Sequence, residues 1–187
     1  MAYLVSKNDS DMVDYFVTDS KWCDEVNPKG MVYDGAFLKV GAPRCDILYG
    51  DRSEYKRMFR TKHNIPEDAK VIMYAPTFRE GSRNGKRLVF SEIWSIDFKR
   101  LLDDLKRRFG GEWYVCIRVH PQLAGIVKEY KNEEIQKYII DESQADDMYE
   151  ILAAMDAYIT DYSSAAMDAS LTHMPVFLYA DDIEQYT

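Results

Sequence analysis

The sequence predicts an α/β protein built on a Rossmann-like, doubly wound parallel sheet. Short apolar runs, above all Lys70 to Tyr74 and Trp113 to Val119, are hydrophobic at consecutive positions, as in strands buried on both faces. They alternate with segments of helical period, clearest at Phe98, Leu101, Leu102, Leu105 and Phe109. Polar loops leave the C-terminal ends of these strands, which is where open sheets of this kind bind ligands.

Taken in order, Asp14 to Thr18 and Ala36 to Val40 are strands rich in aromatic and branched residues. Between them Ser20 to Val26 is a short helix, ended by Asn27-Pro28-Lys29-Gly30. Gly41 to Asp46 is a turn, and a helix runs from Arg52 to His63, stopping before Asn64-Ile65-Pro66. After the strand at Lys70 to Tyr74, the Gly-containing stretch from Gly81 to Arg87 is expected to be a loop. Gly110-Gly111 ends the amphipathic helix begun at Phe98. The next strands are Lys137 to Ile140, Ala157 to Ile159 and Pro175 to Tyr179, with Met148, Ile151, Leu152 and Met155 lining a helix between the first two.

A chain of 187 residues fits one domain, or one domain with part of another. Cys23, Cys45 and Cys116 are odd in number and widely spaced, so neither a disulfide framework nor a metal knuckle is expected. The Asp/Glu pairs read as solvated, so no metal site is expected. A net charge of −8 argues against nucleic acid as a partner. Charge is uneven: Arg52 to Arg108 holds 15 Lys/Arg against 8 Asp/Glu, a basic middle suited to solvated helix faces, a phosphate-rich substrate or an anionic membrane. No apolar run reaches membrane-span length, and residues 1–11 lack signal-peptide features.

The loops carry the candidate chemistry. In Thr160-Asp161-Tyr162-Ser163-Ser164, hydroxyls and a carboxylate precede a helix of small residues. Such a turn suits phosphate and ribose; equally, Ser163 or Ser164 caps the helix and Asp161 holds the turn. His120 is held extended by Pro121, so its imidazole leaves a strand end in a restricted direction, either toward a phosphate or leaving group or onto backbone. Arg118, inside an apolar strand, needs a partner, whether a ligand or an internal carboxylate. Arg79 suits a phosphate fork or a surface pair with Glu80. His63 and His173 have no companion at ligand spacing and read as structural.

Gly41-Ala-Pro-Arg-Cys-Asp46, Tyr74-Ala-Pro-Thr-Phe-Arg79, Arg118-Val-His-Pro121, Ile159-Thr-Asp-Tyr-Ser-Ser164 and Pro175 to Tyr179 with Asp182 and Tyr186 together resemble the CDP-glycerol glycerophosphotransferase family, the teichoic acid polymerases and primases. The resemblance covers nearly the whole chain. It implies the C-terminal, nucleotide-donor half of a GT-B fold. Residues 1–44 would be the tail of an acceptor-side N-terminal domain plus the interdomain turn. Residues 45–187 would be the donor-binding domain, short of its C-terminal end. The implied reaction moves glycerol phosphate from CDP-glycerol to a hydroxyl of a lipid-linked polyol-phosphate acceptor and releases CMP, with no cofactor beyond that substrate.

Residue by residue, the resemblance implies that His120 contacts or protonates the donor pyrophosphate. Thr160, Asp161, Ser163 and Ser164 would line the nucleotide and phosphate pocket, with Thr77 and Arg79 in the loop facing the interdomain cleft and Arg118 beside the phosphates. It also implies a cytoplasmic location at the inner membrane face, contact with that surface, and an N-terminal half supplied in cis or in trans. Ala42 and Cys45 depart from the family's usual aromatic and polar residues at those positions. A donor half for CDP-ribitol or a nucleotide sugar, and a non-catalytic nucleotide-binding fragment, are the competing expectations.

Overall fold

The computed structural model describes residues 2–77, 82–83, 86–87, 95–120 and 132–184. The chain divides into two compact units, Met1–Asp46 and Ile47–Thr187.

In the first unit, helix α1 (Ala2–Asp11) occupies a stretch to which the sequence assigns no element. Strands β1 (Tyr15–Thr18) and β2 (Ala36–Lys39) pair in parallel, joined by α2 (Lys21–Gly30). Ser20 caps α2 by accepting from the Cys23 N–H at 3.2 Å. The helix does not end before Asn27, as the Pro-Gly signal suggests, but runs through Pro28. Proline forfeits one N–H bond, and the Met31 and Tyr33 N–H groups close the helix end onto Asn27 O and Pro28 O at 2.8 and 3.1 Å. One face of the β1–β2 pair holds Phe16 and Phe37 against Tyr33, with ring centroids 4.7 and 5.3 Å from the tyrosine. Gly35 is required there, because a Cβ would sit 2.4 Å from the Tyr33 ring. The other face leaves Tyr15, Val17 and Leu38 exposed.

The second unit opens with a 3-10 helix that began at Pro43, where a plain turn is expected, and ends at Leu48. Helix α3 (Ser53–His63) follows and stops where Asn64 takes a left-handed conformation, φ 53°. Strand β3 (Lys70–Tyr74) comes next. The expected loop from Gly81 contains a minimal antiparallel hairpin, β4 (Ser82–Arg83) with β5 (Lys86–Arg87). The Asn84-Gly85 dipeptide between them in sequence is the strongest short hairpin signal, which a reading of glycine as loop alone overlooks. Helix α4 (Phe98–Phe109) is capped by the Asp97 carboxylate on the Arg100 N–H and ends in Lys106, Arg107 and Arg108, charges that suit a helix C-terminus.

Strand β6 (Trp113–Ile117), strand β7 (Ile139–Asp141), helix α5 (Met148–Ala154), strand β8 (Ala157–Thr160), helix α6 (Ala165–Ser170) and strand β9 (Val176–Leu178) complete the unit. The five long-range strands form one parallel sheet in the order β7-β6-β3-β8-β9. Alternation along each strand feeds two cores. Val71, Met73, Cys116 and Tyr158 pack with α3, α5 and α6 residues, while Ile72, Tyr74, Val115, Ile117 and Ile159 pack with Phe98, Leu102 and Leu105 of α4. This is the doubly wound α/β sheet that the apolar strand runs call for.

Candidate functional site at the strand-order reversal

The chain builds β3, then β6 and β7 on one side of it, then β8 and β9 on the other. The order therefore reverses between β3 and β8, and their C-terminal ends border the crevice where such sheets bind ligands. Here the loops are stitched together. The Ala75 N–H donates to Ile159 O at 3.0 Å, and the Thr160 hydroxyl donates to Ala75 O at 2.7 Å. The Asp161 carboxylate accepts from the Thr77 N–H at 2.9 and 3.1 Å and from the Tyr162 N–H at 2.6 Å. Thr160 and Asp161, expected to line a pocket, are buried and serve first as ties between the two loops.

Ser163 takes the capping role left open in sequence: its Oγ accepts from the Ala165 N–H at 3.2 Å. Ser164 makes no side-chain cap bond and is exposed, and Ser163 is half-buried. The Tyr162 hydroxyl donates to Asp182 at 3.0 Å, tying the turn to the segment beyond β9.

On the other side of β3, β6 delivers Arg118 and His120. The Arg118 N–H donates to Tyr74 O at 3.0 Å, so this strand end is locked to β3. Its guanidinium donates to the Glu142 carbonyl at 2.6 Å, a backbone partner in place of the internal carboxylate that the sequence offers. His120 is exposed at the end of β6. With strands about 4.8 Å apart, the ends of β6 and β8 lie about 10 Å from each other, within reach of one ligand. The structure thus brings Thr77, Arg118, His120, Asp161, Ser163 and Ser164 to one edge of the sheet. Arg79, Pro121 and Tyr186 lie outside the described residues.

The residues match the profile of CDP-glycerol:poly(glycerophosphate) glycerophosphotransferases over positions 5–187. The chain belongs to this family. It is 32% identical over 178 residues to a teichoic acid poly(glycerol phosphate) polymerase of Staphylococcus epidermidis, covering 92% of this chain and 23% of that protein. It is 29% identical over 154 residues to a teichoic acid poly(ribitol-phosphate) polymerase of Bacillus spizizenii, covering 80% of this chain and 23% of that one. Among solved structures, the wall teichoic acid polymerase TagF superposes with a TM-score of 0.75 at 29% identity, over 98% of this chain and 43% of TagF. A TagF variant soaked with CDPG superposes at 0.74 and 29% identity, over 98% of this chain and 42% of that one. The fold is accordingly the Rossmann-like half of a GT-B architecture. The chain spans less than half the length of these relatives.

Within this family edge, two residues went unnoticed in sequence. Ser143, fully buried, accepts the Val119 N–H on its Oγ at 3.2 Å and so fixes the backbone next to His120. Glu142, whose carbonyl holds Arg118, is itself clamped from α3: one carboxylate oxygen lies 2.5 Å from both Lys62 Nζ and His63 Nε2. His63, read as structural, has its place here. An Asp-Glu-Ser run after a short strand carries no motif, so only the packing of α3 against the β7 end reveals these roles.

Burial pushes the Glu142 carboxyl up, but the hydrogen bonds and charges of Lys62 and His63 outweigh it and hold its pKa below the ordinary glutamate value. A depressed carboxylate contributes stability that is fully present above the unfolded-state value, about 4.3, and is lost as pH falls through the folded value. Acid titration of the folded state by circular dichroism is therefore expected to show stability declining below about pH 4.5. Glu142→Gln should flatten that decline; an unchanged pH profile in the variant would contradict the clamp. Among the described residues, no group of three or more His, Cys, Asp or Glu is placed to hold a metal ion.

Proposed function

We propose that this chain is the donor-binding part of a transferase that moves glycerol phosphate from CDP-glycerol to a hydroxyl of a lipid-linked teichoic-acid-type acceptor, releasing CMP. The observation that carries the reading is the tie of Thr77 to Asp161 at the strand-order reversal of a family member's sheet. In this reading the acceptor oxygen attacks the glycerol-bearing phosphorus, and the bond from that phosphorus to the bridging oxygen breaks. CMP leaves with the bridging oxygen. His120, exposed beside the crevice, donates a hydrogen bond or proton to the leaving phosphate. In this reading the Ser163 and Ser164 hydroxyls and the Arg118 guanidinium serve the remaining phosphate oxygens, and the family resemblance adds Arg79 to them. Positioning and charge stabilisation are the main contributions a protein makes to phosphoryl transfer, and these groups supply both.

In this reading the acceptor's proton goes to a base on the acceptor-side domain, supplied in cis or in trans. Residues 1–44 belong to that domain in this reading. A two-stranded parallel pair with an exposed apolar face supports it, since parallel sheets are normally covered on both faces. No helix among the described residues is long and apolar enough to cross a membrane. The proposed location is cytoplasmic, at the inner membrane face, where the basic middle of the chain meets anionic lipid and the acceptor.

Thermal-shift titration tests the reading. CDP-glycerol should raise the melting point of the wild-type chain, and His120→Ala should lose at least half of that rise. Its ligand-free melting point should stay within about 1 °C, because an exposed side chain contributes little to folding. CMP release by the chain alone should be slow or absent. The ribitol-phosphate polymerase among the relatives favours a second reading, with CDP-ribitol as donor. A larger response to CDP-ribitol than to CDP-glycerol would establish it, and an equal weak response to every nucleotide, UDP-sugars included, would defeat both.

A further inference from the structure

Strand β7 is three residues long and lies at the edge of the sheet, yet the turn beyond it is anchored from several sides. The Glu142 N–H donates to Ile117 O at 3.0 Å, the Ser143 N–H to the Asp141 carboxylate at 3.0 Å, and the Ala145 N–H back to Glu142 O at 3.2 Å. The Glu142 side chain, 6% exposed, holds the same turn from α3: one oxygen lies 2.5 Å from both Lys62 Nζ and His63 Nε2. Apolar packing would attach a helix to an edge strand without taking a carboxylate out of water, so the buried charge calls for a reason.

What the turn presents to the sheet is the Glu142 carbonyl, which accepts the Arg118 guanidinium at 2.6 Å. Arg118 is half-buried. A guanidinium carries five N–H donors in one rigid plane, so a single short bond orients the rest. One residue on, Ser143 Oγ accepts the Val119 N–H at 3.2 Å, so the same turn also sets the backbone that leads to His120. We propose that Glu142 is a positioning residue for recognition of the donor phosphates. Lys62 and His63 fix its side chain, the fixed turn aims its carbonyl, and the carbonyl sets the plane of Arg118 so that the remaining N–H groups meet phosphate oxygens. The assignment rests on the proposed nucleotide-donor function. It adds to that function a residue that does not touch the ligand, and a helix, α3, on which the grip depends.

The test is a double-mutant cycle on the full 187-residue chain with Glu142→Ala, Arg118→Met and the double variant, titrated calorimetrically with CDP-glycerol and with CDP. Glu142→Ala should weaken both ligands about 5- to 10-fold, because a loosened carbonyl lets the guanidinium leave its productive orientation. The double variant should bind no more weakly than Arg118→Met. Glu142→Gln keeps an oxygen for Lys62 and His63 and should restore affinity to within about twofold of wild type. A merely structural clamp would lower the melting point of Glu142→Ala and leave the affinity of the folded chain unchanged; that result, or fully additive losses in the double variant, would overturn the assignment while leaving the donor reading intact. Should Glu142→Ala fail to fold, Lys62→Met carries the test, since its side chain is 60% exposed. It should weaken CDP-glycerol about two- to fourfold with a melting point within about 2 °C of wild type, and unchanged affinity would again overturn the assignment. A wild-type chain that binds neither nucleotide would overturn the donor reading, and this one with it.

Discussion

Asp161→Ala is expected to unfold at markedly lower urea concentration than wild type and to lose nucleotide binding together with that stability. The carboxylate accepts two backbone N–H groups, from Thr77 and Tyr162, and is 7% exposed. Hydrogen bonds to a charged acceptor contribute about 1.5–3 kcal/mol each, and the stranded N–H groups add a desolvation penalty, so about 3–5 kcal/mol is at stake. Asp161→Asn keeps one acceptor oxygen and should lose roughly half as much. The two effects share one cause, because the bond that stabilises the sheet end also sets the spacing of the loops at the crevice. A variant that melts normally and binds CDP-glycerol as wild type does would show that the tie between β3 and β8 is not what shapes this edge.

Asp156→Ala should be as damaging, but at the opposite end of the sheet and without any direct bearing on the ligand. One carboxylate oxygen meets Lys56 Nζ at 2.5 Å, and the other accepts from Arg60 at 2.8 Å and from the Val71 N–H at 2.9 Å. The Arg60 side chain is only 10% exposed, so losing its counter-charge leaves a buried cation behind. Breaking such a pair costs about 3–5 kcal/mol, whereas replacing both partners with apolar groups is often nearly neutral. Asp156→Ala with Arg60→Met should therefore recover much of the loss in chemical denaturation. If the double variant is as unstable as the sum of the singles, the pair is not the origin of the effect.

The sheet was legible because its signal is local. Val71 to Tyr74 and Val115 to Ile117 are apolar at every position, and only a strand covered on both faces tolerates that. The helix at Phe98–Phe109 declared itself by period and by Gly110, which adopts φ 68°. Where two local signals conflicted, the weaker reading followed. Pro28 reads as a stop yet lies within α2, and the stretch from Gly81 to Arg87 reads as loop yet contains the paired strands β4 and β5. Edge positions of the site followed the same rule. His120 and the Asp161 to Ser164 turn stand out because polar residues interrupt an apolar run, whereas Glu142 and Ser143 follow a strand of three residues and signal nothing.

By itself the amino-acid order determined which segments make the five-stranded sheet, which polar residues sit at their C-terminal ends, and the family to which the chain belongs. It did not determine how those residues divide the work. That Thr160 and Asp161 hold loops together, that Arg118 rests on a carbonyl, and that Lys62 and His63 reach Glu142 across 80 and 79 residues were decided by the tertiary structure alone. The reason is physical: a hydrogen bond depends on distance and direction to atoms brought close by strand order, and strand order is a property of the packed sheet, not of any stretch of chain.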